Sequence, residues 1–158
     1  MQKLIMLVAI PGAGKSTYIQ TNMPGVAVVS PDEIRKEVLG DINDQSNGSR
    51  IWGIAAKRVA NILSKGFDVV LDATNVNSRN RQNFIDSIRE LCDCDFTTKA
   101  IVFDVDPEIA KARVNKDIKM KRDRAMVPDH VIDRMYQQFL SGKSNLKTQF
   151  DEVVYART

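Results

Sequence analysis

Three stretches of the chain carry residues suited to phosphate chemistry. In the first, Gly12 and Gly14 flank Ala13 and are followed at once by Lys15, Ser16 and Thr17, where the apolar run "KLIMLVAI" ends. Glycines accept backbone conformations closed to other residues, so successive N–H groups there can turn inward on an anion. A helix opening at Lys15 would add its partial positive end, the ammonium would reach outer phosphates, and the Ser16 hydroxyl would be offered to Mg²⁺. Pro11 stiffens the approach. The second stretch is "SPDEIR", residues 30–35, where Asp32 and Arg35 stand three apart and so share one face of a helix. A carboxylate there could take the proton of an attacking hydroxyl while the guanidinium holds a nearby phosphate. The third is "LDATNVNSRNR". Asp72 directly ends a buried run and could support Mg²⁺ through water or orient Arg35, while Thr74 and Asn75 could line a pocket.

Ordinary structural roles compete for the same residues. Ser30 as N-cap, Pro31 at the first helical position, Glu33 closing a capping box and Asp32 on the helix dipole explain most of the second stretch. Arg35 is left over, because a cation near a helix N-terminus gains nothing from the dipole. In the third stretch, an ordinary polar loop with Ser78 as helix cap accounts for Asn77 and Ser78 but not for Asp72.

These residues need elements that bring them together. "GVAVVS", "FDVVLD", "TKAIVFDV" and "DEVVYA" read as strands after the first apolar run. Helical patterns fall between them, in "PDEIRKEVL", "RIWGIAAKRVANILSKG" (with Gly66 able to end it), "SRNRQNFIDSIRELC", "PEIAKARVNK" and "PDHVIDRMYQQFL". Five strands interleaved with helices predict a three-layer α/β fold with a mainly parallel five-stranded sheet. In such sheets ligands gather at the carboxyl ends of the strands, where all three stretches fall. From Ala9 to Ser16 the spacing follows the Walker A pattern GxxxxGK[ST], with Ala9 in place of the first glycine, so a P-loop NTPase fold is expected. One domain over residues 1–158 is predicted, with a small lid at about residues 114–127.

Composition narrows the function classes. With 43% hydrophobic and 27% charged residues, the chain is neither disordered nor fibrous. No apolar run is long enough to cross a bilayer, and the opening residues lack a signal-peptide cleavage site, so a cytoplasmic protein with no membrane partner is expected. Cys92 and Cys94 fit neither a CxxC redox pair nor a four-ligand zinc set and are read as structural. His130 is the only histidine, which leaves no histidine-based dyad or triad. Net charge is +3, and residues 116–124, with five basic and two acidic residues, carry an excess equal to that of the whole chain. Attraction for anions is therefore local.

"IPGAGKST", "SPDEIR", "DATNVNSRNR", "IVFDV" and "RDRAMVPDHVIDRMY" occur in the order and approximate spacing of the bacteriophage polynucleotide 5′-hydroxyl kinase family, within the P-loop kinases, which the chain resembles over nearly its whole length. That resemblance implies an ATP- and Mg²⁺-dependent kinase acting on the 5′-hydroxyl end of a nucleic acid. It implies Asp32 as general base, Arg35 as clamp on the acceptor phosphate, Asp72 as their support and Arg122 as a lid arginine, with Lys15 and Ser16 holding ATP and Mg²⁺. No counterpart of the bifunctional relatives' 3′-phosphatase domain is expected within residues 1–158, and Arg113, Lys116, Lys119, Lys121 and Arg124 are expected around Arg122 in a longer lid. A kinase of a small alcohol such as a nucleoside or sugar, and a non-catalytic ATP-binding switch, are the competing readings.

Overall fold

The structure is a computed structural model that describes residues 1–120 and 126–157. One sheet runs through it, with strands β1 (Lys3–Val8), β2 (Ala27–Val29), β3 (Val69–Leu71), β4 (Thr97–Val102) and β5 (Glu152–Tyr155) in the order β2-β3-β1-β4-β5. Every pairing is parallel, with Met6 opposite Leu71, Val29 opposite Leu71, and Val8 opposite Val102. β1 occupies the centre, so both its faces are covered. Leu4 and each residue from Met6 to Ala9 are fully buried, and each such Leu, Met or Val contributes about 1.5–3 kcal/mol relative to exposure.

Helices α1 (Lys15–Asn22), α2 (Pro31–Leu39), α3 (Gly48–Ser64), α4 (Ser78–Leu91), α5 (Pro107–Lys119), α6 (Asp129–Gly142) and α7 (Leu146–Gln149) cover the sheet, with a 3-10 turn at Lys143–Asn145. α3 turns Ile51, Ala55, Val59 and Leu63 to the core at helical spacing. It gives way to Gly66 at φ 86°, the left-handed stop expected there. α2 begins as its sequence dictates: the Glu33 N–H donates to the Ser30 hydroxyl at 3.3 Å, and Pro31 opens the helix. α1 is held to the sheet by an edge-to-face contact of Tyr18 with Phe103, ring centroids 5.2 Å apart.

Several expectations are corrected. The cap of α4 is Asn77, whose side-chain oxygen accepts from the Asn80 N–H at 3.0 Å. Ser78 is engaged instead by Asn145 and Gln149, which donate to its hydroxyl. Cys92 and Cys94, read as structural without a bond between them, are joined in a disulfide at the end of α4. The 3-10 turn and α7 were not expected. Of the residues assigned to a lid, 114–119 complete α5, and Val114 there is fully buried.

Candidate functional site

The cradle forms where β1 leaves the sheet. Gly12 (φ 84°) and Gly14 (φ 98°) both adopt left-handed backbone, and Gly14 caps α1. A Cβ on Gly12 would collide with the Ala110 carbonyl of α5, so the turn requires glycine for space as well as for conformation. Gly12, Ala13, Gly14, Lys15, Ser16 and Thr17 all line one cavity of about 670 Å³, with Pro11 in the turn leading to it. α5 and the segment after β5 add Arg113, Lys116, Asp117 and Arg157 to its lining. Arg113 Nη1 donates to the Gly12 carbonyl at 3.3 Å, bracing the turn and placing a cation beside it.

The strand order puts the other two stretches beside this one. β3 lies between β1 and β2, and strands sit about 4.8 Å apart, so all three tips fall within about 10 Å of one another. The Asp72 N–H donates to the Val29 carbonyl at 2.9 Å, and the Ala9 N–H to the Thr74 carbonyl at 2.9 Å, stitching the tips together. Asp32 and Arg35 form an ion pair on the first turn of α2, with Arg35 Nη1 2.6 Å from Asp32 Oδ1. The Arg35 side chain is 12% exposed and that of Asp32 49%. Arg35 Nε is buried and has no partner among the described residues.

Asp72 reports how closely these groups meet. Burial pushes its carboxyl above the ordinary range, the Lys15 ammonium pulls it back down, and the Asp32 charge pushes it up again. It therefore lies within electrostatic reach of both the cradle lysine and the α2 carboxylate. Asp72 thus feels the charges of Lys15 and Asp32, and Arg35 joins this group through its pair with Asp32.

The remaining expected residues separate from it. Asn75, left-handed at φ 50°, donates its amide to the Leu7 carbonyl at 2.7 Å and to that of Ala73 at 3.3 Å, fastening its loop to β1. Thr74 and Asn75 line a second cavity, between α3, α4 and α6, rather than the cradle. Arg122 lies outside the described residues. Met126, just beyond, donates its N–H to Asn43 at 2.7 Å, tying the approach to α6 to the loop between α2 and α3.

Sequence reading had put Arg113 and Lys116 among the lid cations, but they stand on α5 over the cradle. Arg157 was missed, since nothing in its neighbours marks it. Arg81 was missed too, although it anchors the loop between β3 and α4. Its buried guanidinium donates to the carbonyls of Asn75 (2.9 Å), Val76 (3.2 Å) and Gly142 (2.9 Å) and to the Gln149 side chain (3.0 Å). Burial pulls its pKa down to about 10.

The donor set suits a magnesium nucleotide. The cradle supplies a glycine turn, a helix N-terminus and an ammonium for the phosphates, and Ser16 supplies a hydroxyl for the ion. Among the described residues no three His, Cys, Asp or Glu side chains gather to hold a metal. Mg²⁺ is ordinarily held by one or two side chains plus phosphate oxygens and water, a role Ser16 and Asp72 could fill.

A parallel sheet in this order with a glycine turn leading into α1 defines a P-loop kinase-like fold. Residues 4–140 match the AAA_33 family, an AAA domain, and the chain belongs to that family. No curated protein sequence matches it. Among solved structures it is similar to a chain of the Pnkp1/Rnl/Hen1 RNA repair complex (24% identity, TM-score 0.79, 92% of this chain and 46% of that one). A second structure of the Pnkp1/Rnl/Hen1 complex matches at 26% identity and TM-score 0.59, over 80% of this chain and 40% of that one. The protein therefore spans less than half the length of these two relatives. It is also similar to a sugar kinase from Janibacter sp. HTCC2649 (15% identity, TM-score 0.58, 98% of this chain and 86% of that one). Among the described residues no helix is long and apolar enough to cross a membrane.

Proposed function

We propose that this protein is an ATP-dependent kinase that transfers the γ-phosphoryl group to the 5′-hydroxyl end of a polynucleotide. The observation that carries this reading is the Asp32–Arg35 pair, held at the strand tips within reach of Asp72 and Lys15. Magnesium ATP, when bound, supplies the phosphoryl group and neutralises part of its charge.

The chain's own residues do the rest. Arg35 holds Asp32 Oδ1, which orients the carboxylate and leaves Oδ2 to accept the proton of the attacking hydroxyl. As the O–H bond breaks, a bond forms from that oxygen to the γ-phosphorus, and the bond from the γ-phosphorus to the bridging oxygen breaks, releasing ADP. Charge spreads over the phosphoryl oxygens in the loose transition state, where Lys15 and the cradle N–H groups counter it, joined by Arg113. Arg35 sits mostly out of water, so its charge favours an acceptor bearing a phosphate beside the reacting hydroxyl. The likeness to a chain of an RNA repair complex supports the same acceptor.

A small-molecule alcohol is the second reading, favoured by the near end-to-end match to a sugar kinase. Transfer of labelled γ-phosphate to a panel of 5′-hydroxyl oligonucleotides, nucleosides, nucleoside 3′-monophosphates and sugars tests both. The expected result is that 3′-phosphorylated nucleosides and oligonucleotides outperform every free alcohol. A sugar or free nucleoside that outperforms them would replace the polynucleotide reading, and ATP turnover independent of any acceptor would favour a switch.

A further inference from the structure

The second cavity differs in chemistry from the cradle. Its volume is about 530 Å³, within the range of small-molecule sites, and among the described residues no Lys, Arg, His, Asp or Glu lines it. It offers a phosphate no cation. What lines it is aromatic, thioether and amide: Trp52 and Phe84, Met135 of α6, and Asn80, Asn83 and Gln138. Trp52 meets Phe84 edge to face, centroids 5.8 Å apart and planes at 75°, which fixes the indole at one wall. Asn80 and Asn83 stand three apart on one face of α4. Their side chains and that of Gln138 make no hydrogen bond to other side chains or backbone among the described residues, so donors and acceptors remain for a ligand.

We propose that this cavity is a nucleobase pocket for the acceptor strand, an inference that rests on the polynucleotide reading. A flat, uncharged ring with hydrogen-bonding edges fits an aromatic wall faced by amides, since Asn and Gln pair with base edges and bases stack on aromatic side chains. A sugar ring would also meet amides and an indole face here, and a hexose panel separates the two. The cavity's place in the fold agrees. Thr74 and Asn75 line it only two and three residues after Asp72, so a strand with its terminal hydroxyl at Asp32 has a base within reach of the pocket. The charged constellation would hold the phosphate and hydroxyl, while the amide pocket holds the base.

Trp52 is the only tryptophan, so its fluorescence reports the pocket without any need for turnover. The experiment titrates the full chain, without ATP, with a 5′-hydroxyl trinucleotide, with the same trinucleotide made abasic at each position in turn, and with a hexose panel. Saturable quenching by the trinucleotide is expected, with one abasic substitution weakening binding about 10-fold or more. Asn83→Leu, on an exposed position, should weaken binding of the complete trinucleotide while leaving that of the weakened abasic form unchanged. In turnover, Trp52→Phe should raise KM for base-bearing acceptors and leave kcat nearly unaltered. Indifference of the fluorescence to base removal, or quenching by hexoses alone, overturns the base pocket even if 5′-hydroxyl transfer is observed. Base-dependent quenching without transfer to any 5′-hydroxyl would retain the pocket and overturn the kinase reading.

Discussion

Replacing Asp32 by Asn separates proton transfer from everything else the site does. The substitution keeps shape and leaves an oxygen to accept from Arg35, but removes the charge that takes the hydroxyl proton. A positioned general base contributes about 10²–10⁴ in rate, so kcat should fall by that factor, equivalent to roughly 3–5 kcal/mol of barrier. Stability should change far less. The pair is half exposed on the Asp32 side and so is worth about 0–1 kcal/mol, and loss of the charge from the first turn of α2 costs about 0.3–1 kcal/mol more. Together these amount to at most about 2 kcal/mol, and each kcal/mol shifts Tm by about 2–4 °C in a domain of this size. Nucleotide affinity should hold or tighten slightly, because Asp32 does not line the cradle and its removal takes a negative charge away from the phosphates. The assay combines kcat on a 5′-hydroxyl oligonucleotide, calorimetric titration with ATP, and thermal unfolding. A kcat within about threefold of the parent would refute the base assignment. A collapse of ATP affinity would show that Asp32 serves the nucleotide instead.

Three further predictions follow from particular contacts. Gly12→Ala and Gly25→Ala impose the same left-handed strain, about 1–2 kcal/mol at φ 84° and 81°, but only Gly12 faces another backbone; ATP affinity measured by titration should fall at least 10-fold for Gly12→Ala and stay unchanged for Gly25→Ala. Asp72 has a raised native pKa, so the native state holds its proton more tightly than the unfolded chain does, and its contribution is favourable at low pH and lost as pH rises through that raised value. Asp72→Asn should therefore raise Tm at neutral pH, flatten the decline of Tm with rising pH in the acidic range, and lower kcat. Arg81→Ala leaves two buried carbonyls and one part-buried carbonyl without their donor and should cost at least about 3 kcal/mol in denaturant unfolding, and Arg81→Lys should not restore it, because an ammonium cannot span partners fixed around a planar fork.

What the sequence made legible was local. The run from Lys3 to Ile10, the glycines after it and the order Ser30-Pro31-Asp32-Glu33 each carry their own instructions, since patterning, turn chemistry and capping act over a few residues. β2 and β3 were placed correctly but are shorter than their apolar runs, Ala27–Val29 and Val69–Leu71, because a strand lasts only as long as its neighbour pairs with it. The electrostatic joining of Asp72 to Lys15 and Asp32 follows from strand order, which the local pattern does not specify. Arg81 was illegible for the same reason. Beside Asn80 it reads as a polar residue in the first turn of α4, and two of its four acceptors lie 61 and 68 residues away. Ser78 lost its capping role to a similar long-range demand from Asn145 and Gln149. The Trp52 cavity exists only where three helices meet, so no single stretch announces it.

Because all five strands point the same way, the connections at Gly25 and Gly66 lie at the rim opposite the strand tips, and both glycines have open space around them. Handles for surface capture, dyes or fused reporters belong at these two turns. A protein immobilised there would present its whole working face outward.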